Sequence, residues 1–160
     1  MDGYKRDADG WYIEKDANAS LPYTLQWHDW LRGSDQFWSK STWFRAGDTV
    51  TPSKANHNGK RYRANDSGIT STTEPTWPAS STVVDGGITW EYLGAEDAID
   101  SVAWTVATGL TNVSTANTDW TATIVLSGGT DGTTYTVACR VTTDAGYIDD
   151  RSFRVVVVSR

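Results

Sequence analysis

Cysteine is almost missing from this chain. Cys139 stands alone, which excludes an intrachain disulfide and leaves no Cys/His cluster to hold a metal. Basic residues are also few: 14 Lys and Arg face 20 Asp and Glu, a formal net charge of −6. Nothing gathers the positive charges into a stripe, so no nucleic-acid partner is expected. No apolar run approaches the length needed to cross a bilayer, which argues against a membrane partner. Met1-Asp2-Gly3-Tyr4-Lys5-Arg6 leads into polar sequence without the apolar segment of a secretory leader. The expectation is therefore a chain made in a cytoplasm that stays soluble or is assembled there into something larger.

Large aromatics are abundant instead. Nine Trp and seven Tyr in 160 residues exceed what one small core can hold, so some belong on surfaces, where such rings serve protein or sugar contacts. The stretch Trp120 to Val158 carries the clearest pattern. Trp120, Ala122, Ile124 and Leu126 alternate with Thr121, Thr123 and Val125, a period-two stripe that predicts a strand. Tyr135, Val137, Cys139 and Val141 form a second stripe, and Phe153, Val155 and Val157 a third. Ser127-Gly128-Gly129-Thr130-Asp131-Gly132 and Asp144-Ala145-Gly146 are turn clusters between them. Strands punctuated this way predict an all-β, immunoglobulin-like antiparallel sandwich. Asp131-Gly132-Thr133-Thr134-Tyr135 has the form of the tyrosine corner of such domains. Cys139 lies in a strand stripe, where a buried and inert thiol is expected. Trp104, alternating with Val102 and Val106, is the candidate core tryptophan.

Upstream, residues 1–19 are polar except for Trp11-Tyr12-Ile13. Such a cluster cannot bury itself. It either folds back onto its own domain or belongs to an arm that orders on a neighbouring subunit. Tyr23, Leu25 and Trp27 share one parity, and Pro22 stands at the entrance, the mark of an edge strand. From Phe37 to Gly94 the texture changes to Trp, Gly, Asn, Ser and Thr with few aliphatics. Short strand-like pieces recur at 48–50, 60–64 and 88–92, with hairpin signals at Asn58-Gly59 and Asp85-Gly86-Gly87. Glu74-Pro75-Thr76-Trp77-Pro78 reads as a rigid extended loop. Gly109 to Asp119 reads as a polar connection. The expected organisation is an N-terminal arm (1–19), a discontinuous sandwich (20–36 with 97–160) and a small aromatic-rich β module inserted at 37–96. An exposed loop near Ser34-Asp35 is the natural point of insertion.

Without residues 37–96, the remaining motifs form a recognisable series. They are Pro22-Tyr23-Thr24, Trp27-His28-Asp29-Trp30-Leu31, Leu126-Ser127-Gly128-Gly129, Gly132-Thr133-Thr134-Tyr135 and Asp149-Asp150-Arg151-Ser152-Phe153. The series resembles the phage fibre–tail adaptor family over about residues 12–36 and 97–160. That resemblance implies a structural component of a virion tail, made in the host cytoplasm. Its implied partners are tail proteins and the tail fibre, in multiple copies forming a ring-like assembly. The insert resembles the small chitin-binding modules of family 5/12 type, through Trp43-Phe44-Arg45-Ala46-Gly47-Asp48-Thr49-Val50 and Asn58-Gly59-Lys60-Arg61-Tyr62-Arg63-Ala64. This second resemblance implies a possible glycan ligand. It makes a carbohydrate-binding module that touches the host surface the rival function.

Catalytic chemistry is not announced. His28 and His57 neighbour no Ser or Cys motif. Glu74, Asp85 and Glu91 are scattered through a module too small to frame the cleft, about 5–10 Å across, that paired glycosidase carboxylates need. Asp97, Asp100, Asp149 and Asp150 lack the spacing of a calcium loop; Asp149-Asp150-Arg151 reads as a solvated turn or a salt-bridged contact. No enzyme, cofactor or metal is expected. The candidate partner or sugar contacts are Trp11, Tyr12, Trp43, Tyr62, Trp77 and Trp90. Most of the insert's rings must form its core. Trp77, between two prolines, is the candidate to be left outside.

Overall fold

The computed structural model describes residues 3–159. Strands make up 55% of it and helix 5%, so the chain is all-β. The first elements are β1 (Lys5–Asp7), β2 (Gly10–Asp16), β3 (Leu21–Gln26) and a five-residue helix, α1 (His28–Arg32). Seven short strands follow: β4 (Gln36–Phe37), β5 (Trp43–Phe44), β6 (Thr49–Thr51), β7 (Lys60–Ala64), β8 (Gly68–Ile69), β9 (Thr82–Asp85) and β10 (Ile88–Ala95). The last five are β11 (Ile99–Val106), β12 (Leu110–Asn117), β13 (Thr121–Gly128), β14 (Thr134–Thr143) and β15 (Ile148–Val158). No described helix is long and apolar enough to cross a membrane. The chain divides into two compact units, residues 1–29 with 97–160 and residues 30–96.

The first unit is a sandwich. One sheet has the order β1-β2-β15-β14-β11 and the other β12-β13-β3. Pairing is antiparallel except that β2 runs parallel to β15. This is the immunoglobulin-like arrangement, with β3, β12 and β13 in the B, D and E positions and β11, β14 and β15 in C, F and G. The period-two stripes become its core: Tyr23, Leu25, Ile124, Leu126, Val137, Cys139, Phe153 and Val155 are all buried. The alternating Thr and Ser neighbours face outward, as a pleated strand requires. Burial pushes the Cys139 thiol up to about 12, the mark of an inert group. At the tyrosine corner, the Thr130 N–H donates to the Tyr135 hydroxyl at 3.0 Å. Gly109 (φ +111°) lets the chain pass this ring, since a Cβ there would lie 2.6 Å from Tyr135 Cε1.

Several sequence expectations for this unit need correction. Of the two readings open for residues 1–19, the fold-back onto their own domain is the one seen, as strands rather than a loop or a separate arm: β1 and β2 form a hairpin, and β2 adds to β15 with Ile13 opposite Val155 and Lys15 opposite Val157. Lys15 explains why the segment looked unfit to be buried. It is 1% exposed, and its Nζ donates to the carbonyls of Asp16 and Gly128, both at 2.8 Å. Burial pushes this amine's pKa down, and Asp16 pushes back. Residues 110–117, read as a connection, are the edge strand β12. One of its faces is solvated and so is most of the other, hence no apolar stripe. Trp104 is half-buried rather than a full core residue because β11 is the edge of its sheet, with no strand on one flank. Asp149-Asp150-Arg151 lies inside β15, not in a turn. There Asp149 accepts the Trp27 indole N–H at 2.9 Å and the Arg151 Nε–H at 3.0 Å, while Asp150 pairs with Arg140.

The second unit carries a five-stranded sheet, β4-β6-β7-β10-β9, and a two-stranded ribbon, β5-β8. With few aliphatics available, aromatics fill its core: Trp38, Phe44, Val50, Tyr62, Ala64, Ile88 and Trp90, with Trp77, Val83 and Tyr92 packed against them. Asp85-Gly86-Gly87 is the turn of the β9–β10 hairpin, with Asp85 opposite Ile88. Gly86 (φ +61°) is required there twice over, since a Cβ would come within 2.4 Å of the Ile69 carbonyl oxygen. Asn58-Gly59 is not a two-residue hairpin. It closes a longer β6–β7 connection that includes a short 3-10 helix at Lys54–Asn56. The Asn58 side chain there accepts the Lys60 N–H at 3.0 Å.

Candidate interaction surfaces

The second unit's core is built on two buried or half-buried carboxylates. Asp85 is 2% exposed. Its Oδ2 accepts the indole N–H groups of Trp38 (2.7 Å) and Trp90 (3.0 Å), and its Oδ1 accepts the Ser71 N–H (2.8 Å). Burial by itself would raise the Asp85 pKa; Ser71, Trp38 and Trp90 together outweigh it and hold the carboxyl below its ordinary value. Glu74 pins the proline loop. It accepts from the Ser53 N–H and Oγ–H, from Asn56 and from the Trp77 indole at 2.9 Å. Burial opposes its ionisation, but these donors prevail and its pKa is lowered. Both carboxylates hold aromatic rings in place.

That scaffold decides which rings remain outside. Tyr62 and Trp90, candidates for contact on sequence grounds, are 0% exposed and belong to the core. Trp77 is not left outside either. It is half-buried, its indole is tied to Glu74, and its ring lies 4.5 Å from Tyr62 and 6.1 Å from Trp90. The most exposed tryptophan of the unit is Trp43, at 61%, ahead of Trp30 at 37%. The register of the ribbon explains this. Phe44 points into the core opposite Gly68, so Trp43 points away, opposite Ile69, itself 53% exposed. Cross-strand pairing thus places an indole and an isoleucine side by side in solvent, with Lys40 and Arg45 close by in sequence.

The first unit offers other surfaces. Trp11 is exposed at the edge hairpin, with the Arg6 guanidinium 5.5 Å from its ring centre. Tyr12 is half-buried beneath Lys5 and Arg154, at 5.9 and 5.6 Å. Arg154 also bonds Asp7. These are cation–π contacts of modest strength. At the β14–β15 turn, Tyr147 (65%) and Ile148 (60%) are exposed. Sequence reasoning missed this pair, although an aromatic beside an aliphatic at a turn was its available signal.

His57 Nε2 lies 2.6 Å from Glu96 Oε2 within the second unit. No expectation drawn from sequence paired them. Glu96 is buried and follows β10, and its N–H donates to the Gly59 carbonyl at 2.9 Å, so the pair fastens the end of that strand.

These strands have a relative. Residues 78–156 match the family described as podophage GP4 fiber-tail adaptor protein gp77. By its description, that family is an adaptor between fibre and tail. The match begins at Pro78, not at residue 97, and so takes in the β9–β10 hairpin as well as β11 to β14 and most of β15. No curated protein matches the chain.

Proposed function

We propose that this chain is a structural adaptor that attaches tail fibres to the tail of a bacteriophage, with no chemical step of its own. The observation that carries this reading is the adaptor-family match. It runs through β11 to β14 and most of β15, which supply five of the sandwich's eight strands, and takes in the β9–β10 hairpin of the second unit as well. The mechanism is positioning. A rigid sandwich holds exposed rings and strand edges at fixed places, and several copies in a ring multiply contacts that are individually weak. Residues 37–96 serve as a guest module within that sandwich. The test is reconstitution: the purified chain should bind both fibreless tails and the fibre protein.

A second reading has one observation in its favour. Trp43 presents an exposed indole on a module whose motif resembles chitin-binding modules. On this reading the insert grips a glycan of the host surface. Binding of a polysaccharide, lost on Trp43→Ala, is the result that favours it over the adaptor.

A further inference from the structure

The sandwich unit has four strand edges, and three of them are guarded. β1 is three residues long and wholly charged, Lys5-Arg6-Asp7. β3 carries Pro22, and the Arg151 guanidinium donates to the Gln26 carbonyl. β12 is interrupted by a bulge at Val113. Short charged strands, proline and bulges are the usual means of preventing edge pairing. β11 has none of these after its first residues: its bulge lies between Ile99 and Ser101, and Asp100 is its only charge.

The register shows which groups this edge presents. The Ala107 N–H donates to the Thr136 carbonyl at 3.2 Å, which makes 107 and 136 a hydrogen-bonded pair. Alternation along an antiparallel ladder then turns Ala103 and Thr105 toward β14, and the main-chain groups of Val102, Trp104 and Val106 outward. The side chains of these three residues are half-buried, while Val137, Cys139 and Val141 on the neighbouring strand are fully buried. The Trp104 indole nitrogen is shielded from solvent and has no acceptor among the described residues. On the sheet's outer face, Ala103, Thr105, Ala138 and Ser152, with Arg140, Asp150 and Arg151, line an open depression of about 530 Å³.

We propose that the free edge of β11 is a strand-addition site, where an extended segment of a neutral or basic partner chain pairs with the main chain of Val102, Trp104 and Val106. Only another extended backbone matches that row of donors and acceptors. Charge selects the partner. Residues 1–29 and 97–160 hold 7 Lys and Arg against 13 Asp and Glu, so the whole net charge of −6 sits in this unit. A second copy would bring like charge to like, whereas a neutral or basic segment would not. The proposal deepens the adaptor reading, which would make the fibre or a tail protein the source of the strand.

The test compares the full chain with Val102→Pro and Val102→Ala. The Val102 N–H points away from β14, so proline removes a donor of the free edge and spares the ladder. Alanine trims the same side chain and keeps the donor. Two probes are used: the fibre protein of the same phage, and a synthetic peptide of alternating Val and Thr with Lys at both ends. Amide exchange at Val102, Trp104 and Val106 should slow at least tenfold in a complex with the wild-type chain. Val102→Ala should bind like wild type and Val102→Pro at least tenfold more weakly. Equal binding by both variants, or no slowing at these amides with either probe, overturns the proposal; if the fibre still binds, the adaptor reading survives it. A fibre that does not bind, with a peptide that protects these amides, sinks the adaptor reading and keeps the edge site. Protection that grows with the chain's own concentration makes the occupant a second copy and overturns the assignment to a partner.

Discussion

Trp90 donates its indole N–H to Oδ2 of Asp85 at 3.0 Å, and both residues are buried. The same oxygen accepts from Trp38, so a single carboxylate orients two of the largest rings in a core dominated by aromatics. Hydrogen bonds to a charged acceptor contribute roughly 1.5–3 kcal/mol each. Asp85→Ala strands two indole donors and should cost the second unit ~3–5 kcal/mol, read from thermal or urea unfolding. A loss under ~1 kcal/mol would show that the rings hold themselves in place.

The same group sets an acid limit. The folded-state pKa of Asp85 is lowered, so the unfolded chain takes up the proton more readily. The stabilisation is complete above the ordinary value of about 3.9 and is lost as pH falls through the lower folded value. Glu74, also lowered, adds to the effect in the same direction. Unfolding measured from pH 6 to pH 2 should show stability falling in the acid range. Asp85→Asn should flatten that fall.

Truncation separates the centre of the sandwich core from its edge. Phe153→Ala removes a ring that is 1% exposed and should cost ~3–5 kcal/mol. Trp104→Ala, at the half-buried edge, should cost less, about 1–3 kcal/mol. Tyr135→Phe removes only the bond from Thr130 and should cost ~0.5–1.5 kcal/mol. If Trp104→Ala proves the costliest of the three, β11 is covered more deeply than its edge position implies.

Deleting residues 1–19 provides a further check. The deletion removes β2 from beside β15, uncovers that strand's main chain and takes away the buried Lys15. The melting temperature should fall by several degrees. A deletion chain that melts like wild type would return the segment to the role of a free arm. Replacing 37–95 by a short Gly/Ser loop should, in contrast, leave a cooperatively melting sandwich, checked by calorimetry, because no sandwich strand lies in that interval.

These cases show where the sequence was legible. Ile124, Leu126, Val137 and Phe153 announced their strands because each has one buried and one solvated face. The tyrosine corner was legible because its turn chemistry is local. β12 was not, since Thr111 to Asn117 are all exposed and no stripe forms. β2 was hidden by Lys15, whose burial depends on the Gly128 carbonyl 113 residues away. The insert's aromatic core was foreseen; its exposed tryptophan, Trp43, was named among the candidate contacts, but Trp77 was preferred as the ring left outside. Whether Trp43 or Trp77 remains outside is decided by the pairing of β5 with β8 and by Glu74, which no local pattern encodes.

Trp43→Ala separates packing from contact. The ring is 61% exposed, so stability should change by less than ~0.5 kcal/mol. If the ring contacts a partner, the variant should bind that partner at least several-fold more weakly in a direct titration.

The central claim is attachment, and co-sedimentation of fibre with tails tests it most directly. Fibreless tails are mixed with purified fibre protein, with and without this chain, and pelleted. The account predicts that fibre pellets with the tails only when the chain is present, and that the chain is found in the pellet in several copies per tail. Fibre that pellets equally well without it, or a chain that stays in the supernatant while binding a host polysaccharide, would contradict the account.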